Sequence, residues 1–255
     1  MSNWVLKGLQ TGIKTTSYPG REEVASGVSP GLPVGKKEPG GEAISLISRC
    51  PTHAIRQMGQ QILVDYRRCI NCFRCVRGVQ EALDWNSGYE WAAYMRTNDG
   101  TTPWLEKVFG RSLHILFVDG GACGACISEL EQLNKPFYNI HRLGFFITPT
   151  PRKADILLIA GPITDHMRLP IQKAFDGMPT PKRVMAIGSC ALSGGIFGPS
   201  FASEEGVQKL IPVDVGVPGC PPPPLAIIHG LLLAVSRKSP ASLISFGSVD
   251  GRKNS

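Results

Sequence analysis

Between residues 111 and 236, short apolar segments alternate with amphipathic ones. Leu113–Val118, Asp155–Ile159, Arg183–Ile187 and Val213–Val217 are short, apolar and rich in β-branched residues. Each runs into a glycine-containing turn, which predicts buried strands. Between them, Ile127–Leu133 places Ile127, Leu130 and Leu133 at spacing three, and Met167–Met178 gathers Met167, Ile171, Ala174, Phe175 and Met178 on one face. Pro170 predicts a kink or restart in the second of these helices. A third helix, Pro224–Val235, has proline in its first turn and Arg237 and Lys238 just past its end, where cations suit the helix dipole. It is apolar nearly all round and therefore belongs in the core or against a partner. Strands alternating with helices predict an α/β fold, a parallel sheet covered by helices on both faces.

The first half of the chain lacks this rhythm. Residues 1–42 are rich in Gly, Pro and Ser (SYPG, SPGLPVG, EPGG) and predict an extended arm, either a loose terminus or one that orders on a partner. Residues 43–80 form a compact cysteine-rich piece. Residues 81–110 carry three of the four Trp and read as a connector that packs on something. Residues 237–255 are a tail.

Composition narrows the function. Apolar residues make up 42% of the 255, too many for a chain that is mainly disordered. The longest apolar run, Leu225–Val235, is far shorter than the roughly 20 residues of a membrane span. The net charge of +7 is spread over both halves, and the aromatics are not interleaved with Lys and Arg, so no nucleic-acid platform is expected. The opening MSNWVLKGLQTG has neither the basic and apolar regions of an export signal nor a twin arginine. The expected location is cytoplasmic, where eight cysteines are not disulfides.

Three of the four strands end in cysteine. The first leads into DGGACGAC with Cys123 and Cys126, the third into GSC with Cys190, and the fourth into PGC with Cys220. Loops at the carboxyl ends of parallel strands converge on one crevice, so these four thiols should meet. Zinc and an iron–sulfur cluster both accept four thiolates. With one short pair and two lone ligands in Gly/Pro-rich loops, a cubane suits the set better than two zinc knuckles. Zinc and buried structural cysteines are the alternatives. Gly120, Gly121, Gly124, Gly188 and Gly219 let backbone approach closely and offer N–H groups to cluster sulfurs.

RRCINCFRC places Cys69, Cys72 and Cys75 with two residues between successive members, a strong iron–sulfur pattern, but the next expected ligand position is Val79. The missing ligand is expected upstream, at Cys50 of CPTHAI. The segment resembles a two-cluster bacterial ferredoxin stripped of its first three cysteines and its last, leaving one complete set for one cluster. A zinc knuckle is the alternative. His53 reads as a surface histidine. Arg67, Arg68, Arg74 and Arg77 crowd the site and should favour a reduced, more anionic cluster, or else form a solvated basic loop.

The stretch from RSLHILFVDGGACGACISELEQL to GPIT, then AIGSCALSGGIFG and PVDVGVPGCPPPP, resembles the small subunit of group-4-type, membrane-associated [NiFe] hydrogenases, such as formate hydrogenlyase and the energy-converting enzymes. The B subunit of respiratory complex I is related, but uses two adjacent cysteines where this chain has CGAC. The resemblance covers about residues 111–236. It implies a flavodoxin-like domain with Cys123, Cys126, Cys190 and Cys220 as ligands of a proximal [4Fe–4S] cluster, facing a large subunit that holds the nickel–iron site. It implies two [4Fe–4S] clusters in all, a ferredoxin-like electron partner, and a complex on the cytoplasmic side of a membrane. Glu129 matches an acidic position of the family pattern, with a possible part in proton relay; a first-turn helix acid is the plainer reading. A complex I-like module whose partner lacks nickel, and a non-catalytic zinc-stabilised scaffold, are the competing functions.

Overall fold

The computed structural model describes residues 3–23, 27–36, 47–77, 83–96, 112–242, 244 and 246. Its centre is a six-stranded sheet built from β5 (Ala93–Tyr94), β6 (Leu113–Asp119), β7 (Phe145–Ile147), β8 (Ile156–Ala160), β9 (Arg183–Ile187) and β10 (Val215–Val217). The spatial order is β5-β10-β9-β8-β6-β7. All pairings are parallel except β5 with β10, which caps one edge in the antiparallel sense. Numbering the five parallel strands in chain order gives 2-1-3-4-5, the flavodoxin-like winding, with its switch point between β6 and β8. β8 is buried at every position because sheet neighbours and helices cover it on both faces.

Helices among the described residues include α1 (Asn3–Thr11), α2 (Ala125–Gln132), α3 (Asp165–Asp176), α4 (Gly188–Ser193) and α5 (Pro224–Ala234). Pro170 sits inside α3 without dividing it. Every residue of α5 is buried, as its unbroken apolar sequence requires. Among the described residues, no helix is long and apolar enough to cross a membrane.

The arm expected over 1–42 is structured in part. α1 forms at its start, Tyr18 is fully buried, and β1 (Leu32–Gly35) pairs antiparallel with β4 (Leu83–Asn86). The hairpin of β2 (Ile55–Met58) and β3 (Gln61–Val64) lies beside them, and Ile62 N–H donates to the Lys36 carbonyl at 3.0 Å. The cysteine-rich piece therefore borrows one strand from each flank. A chain segment of this size buries too little surface alone. Ile55, Ile62 and Leu83 make its small core, with Cys50 and Cys75 packed against it. In the connector, Tyr89, Trp91 and Ala92 join the main core. Trp104 and residues 247–255 lie outside the described residues.

Candidate metal centres

At the carboxyl end of β6, the Asp119 carboxylate accepts the backbone N–H groups of Gly121 (2.9 Å) and Ala122 (2.6 Å). These bonds fold the CGAC loop back over the sheet. The next strand's loop must pass close by. Gly161 has φ +89°, and a Cβ there would lie 2.5 Å from the Ala122 nitrogen. Cys123 is exposed, and Cys126 is buried in the first turn of α2. β9 passes directly into α4 through Gly188 (φ +84°), where a Cβ would lie 2.8 Å from the Cys126 sulfur. Cys190 follows two residues later. The Cys220 loop is tied to α4 by the Ser189 N–H, which donates to the Gly219 carbonyl at 2.9 Å.

The four thiols form one electrostatic group. Burial pushes the Cys126 thiol up to about 12, and ionised Cys220, Cys190, Cys123 and Glu129 would push the same way. Burial, then Cys220 and Cys123, raise Cys190 to about 11. Cys220 is raised by burial and by Cys123. Gathered thiols, three of which resist ionisation, call for a positive centre, which releases their protons as it binds. The donor set and the glycine-made space suit an iron–sulfur cluster.

The N-terminal cysteines are also gathered. Cys50, Cys69, Cys72 and Cys75 line one small cavity, whose other walls include Pro33, Ile55, Val64, Phe73 and Trp85. Asn71 (φ 52°) and Phe73 (φ 59°) adopt left-handed backbone between the cysteines and so turn successive thiols inward. The Phe73 ring stacks on Trp85 at 5.2 Å between centroids. Burial lifts Cys69 to about 12; Asn71 opposes this, while Cys75, Cys50 and Cys72 add to it. Cys75 is raised chiefly by burial. The Cys50 sulfur accepts the Ala54 N–H at 3.2 Å, the kind of backbone donor that suits a ligand thiolate. His53 is exposed on the surface, as its sequence context indicated.

Of the four arginines, Arg67 forms a two-point pair with Asp65, at 3.0 Å for each contact. Arg68 reaches Glu205 at 3.4 Å, while Arg74 and Arg77 are exposed. Glu129 is half-buried, and burial raises its pKa.

Two residues that sequence reasoning passed over join the quartets. Ser189 Oγ donates to the Cys69 carbonyl at 2.5 Å, and Ser193 Oγ to the Arg67 carbonyl at 2.8 Å. Their spacing of four on a helix, flanking Cys190, was the available signal. Asp119 was missed because DGG reads simply as a turn. Among the described residues, no three His, Cys, Asp or Glu are grouped so as to hold a single metal ion.

A parallel sheet of this winding with four thiols at its carboxyl edge suits a subunit of an oxidoreductase complex. Residues 123–234 match the family described as NADH ubiquinone oxidoreductase, 20 Kd subunit. The chain is 40% identical over 133 residues to the probable membrane-bound hydrogenase subunit mbhJ of Pyrococcus furiosus, covering 52% of this chain and 80% of that protein. It is 40% identical over 131 residues to formate hydrogenlyase subunit 7 of Escherichia coli, covering about half (51%) of each. A chain of the membrane-bound sulfane sulfur reductase, an archaeal respiratory membrane complex, is 31% identical over 52% of this chain and 74% of its own, with a TM-score of 0.47. The chain belongs to the group-4 hydrogenase small-subunit family, which is related to complex I.

Proposed function

We propose that this chain is the electron-transfer small subunit of a [NiFe]-hydrogenase complex. It relays single electrons between an H2-active site in a large subunit and a ferredoxin-like partner. The observation that carries this reading is that Cys123, Cys126, Cys190 and Cys220 follow three parallel strands to one sheet edge, with Gly188 against the Cys126 sulfur and Ser189 bonded to Gly219. These four would hold one [4Fe–4S] cluster, and Cys50, Cys69, Cys72 and Cys75 a second. When bound, the clusters supply reversible one-electron transfer.

The chain's own residues supply the shape of the sites. Asp119 orients the CGAC loop, and Gly161 and Gly188 leave room for it. Pro33, Ile55, Val64 and Trp85 give the cavity of the N-terminal thiols apolar walls. Glu129 stands one helical turn beyond Cys126, and burial raises its pKa, which suits a part in proton relay. The complex would sit peripherally at a membrane, as the membrane-bound name of one relative suggests, and this reading puts it on the inner face.

A second reading follows from the matched family's description, a subunit of NADH ubiquinone oxidoreductase. There the partner lacks nickel and works on quinone or pumps protons. Metal analysis of the co-purified complex separates the two readings. Nickel in the large subunit together with H2-dependent reduction of this chain supports the hydrogenase. Its absence, with quinone-dependent oxidation, supports the second reading. Zinc without iron in this chain would overturn both and leave a scaffold.

A further inference from the structure

The strand-end cysteines and the N-terminal cysteines belong to different parts of the fold, yet one short helix touches both. Ser189 and Ser193 lie one turn apart on α4 and flank Cys190. Both are nearly inaccessible, with relative exposures of 1% and 8%. Each hydroxyl has one hydrogen to give. The Ser189 hydroxyl has the Gly219 carbonyl within 3.3 Å but the Cys69 carbonyl at 2.5 Å. The Ser193 hydroxyl has the Ser189 carbonyl at 3.1 Å but the Arg67 carbonyl at 2.8 Å. In both cases the shorter contact crosses to the N-terminal module. Arg68, between the two accepting residues, adds an ion pair to Glu205. Three consecutive residues of the module are thus held by the sheet domain. The last of them is itself a proposed ligand, joined through one hydroxyl to the residue that precedes another.

We propose that Ser189 is a positioning residue for electron transfer within this chain. Supported by Ser193, it locks the carbonyl of Cys69 to the backbone at Cys190. The two cysteine quartets are thereby kept at one fixed separation, and an electron crosses between them without leaving the subunit. One centre loses a single electron and the other gains it; no bond is made or broken. The inference rests on the proposal that both quartets hold clusters. It adds that they are in direct contact, and names the residue that sets that contact.

The test uses the full chain with its metal content intact. Ser189→Ala, the double variant S189A/S193A and the hydroxyl-retaining Ser189→Thr are compared with the unaltered protein. Iron per chain is measured first. The magnetic interaction between the two reduced centres and the rate of intramolecular electron transfer after rapid reduction are then read. The double variant should keep its iron, lose most of the magnetic splitting and transfer electrons about tenfold or more slowly. Ser189→Thr, which keeps the hydroxyl, should keep the splitting; loss of splitting at full iron content in the double variant is what a residue serving stability alone would not produce. A fully loaded double variant with unchanged splitting and rate overturns the inference. Iron missing from the unaltered chain overturns instead the reading on which it rests. A double variant that loses iron from both quartets would make the serines folding residues, which also counts against the proposal.

Discussion

The imidazole Nδ1 of His229 accepts the backbone N–H of Ala92 at 3.1 Å. An acceptor at Nδ1 places the ring hydrogen on Nε2, which donates to the Ser239 carbonyl at 2.9 Å. One buried side chain of α5 thereby ties the connector and the C-terminal segment to the sheet domain. Burial lowers its pKa from the ordinary 6.5, and Lys238 adds to this, while the Ser239 bond and Glu90 oppose it. The unfolded chain consequently takes up the proton first. Stability is complete above about pH 6.5 and declines as the pH falls through that value, levelling off below the depressed folded pKa. Melting curves from about pH 7.5 to about 5.5 should show this slope, and His229→Gln should flatten it. His229→Leu strands the buried Ala92 N–H, at about 1–3 kcal/mol, whereas Ser239 is exposed and its carbonyl can turn to water. Equal slopes in the unaltered chain and His229→Gln would refute the assignment.

Glu90 is the charged neighbour that must be kept apart from this effect. Its burial works against ionisation, but bonds from Lys238 and Tyr18 and the charge of His229 outweigh that and hold its pKa below the usual carboxylate value. Its contribution is present above the ordinary carboxylate pKa of 4.5 and is lost as the pH falls through the lower folded value, below the His229 window. Lys238→Met should therefore weaken the protein across both windows, with little change in the slope between about pH 7.5 and about 5.5. A large change of slope there would mean that Lys238, and not burial, governs His229.

Gly161→Ala tests the loop crossing at the switch point. The left-handed φ costs an L-residue about 1–2 kcal/mol, and the new Cβ would meet backbone at Ala122. The CGAC loop has to move. The variant should lose iron from the strand-end quartet while the N-terminal quartet keeps its own, as read by metal analysis and spectroscopy of the reduced state. Full iron content would show that the loop adapts without cost.

The arginines divide by what they touch. Arg67 and Arg68 are engaged with Asp65 and Glu205, whereas Arg74 and Arg77 are exposed beside Cys72 and Cys75. Replacing Arg74 and Arg77 by Gln should lower the midpoint potential of the N-terminal centre, because two charges that favour its reduced form are removed. Replacing Arg67 and Arg68 should change it less, since their carboxylate partners already offset their charge. An unmoved midpoint in the first pair rules out electrostatic tuning by these groups.

Much of this arrangement was legible in the sequence. Arg183–Ile187 forms a strand over the same residues that its pattern marked, and the other three strands are displaced at their ends by one or two residues. The meeting of the strand-end cysteines followed from parallel topology alone, because every crossover returns the next strand in the same direction. Other features were hidden for physical reasons. α1 is amphipathic but buries none of its residues, and it stands beside a Gly/Pro-rich stretch that reads as loop. β7 is three residues long at a sheet edge, and β5 is two, lengths at which alternation cannot be recognised. α4 begins directly from β9 without a loop to announce it. The links from Ser189 and Ser193 to the N-terminal module depend on how two parts of the chain dock, and short-range pattern does not encode that.

Iron and acid-labile sulfide per chain, measured on the unaltered protein and on Cys190→Ala and Cys72→Ala, test the central claim most directly. Two separate quartets require about eight iron and eight sulfide in the unaltered chain, and about four of each in either variant, with the complementary centre retained. Zinc in place of iron, or about four iron in the unaltered chain, would contradict it.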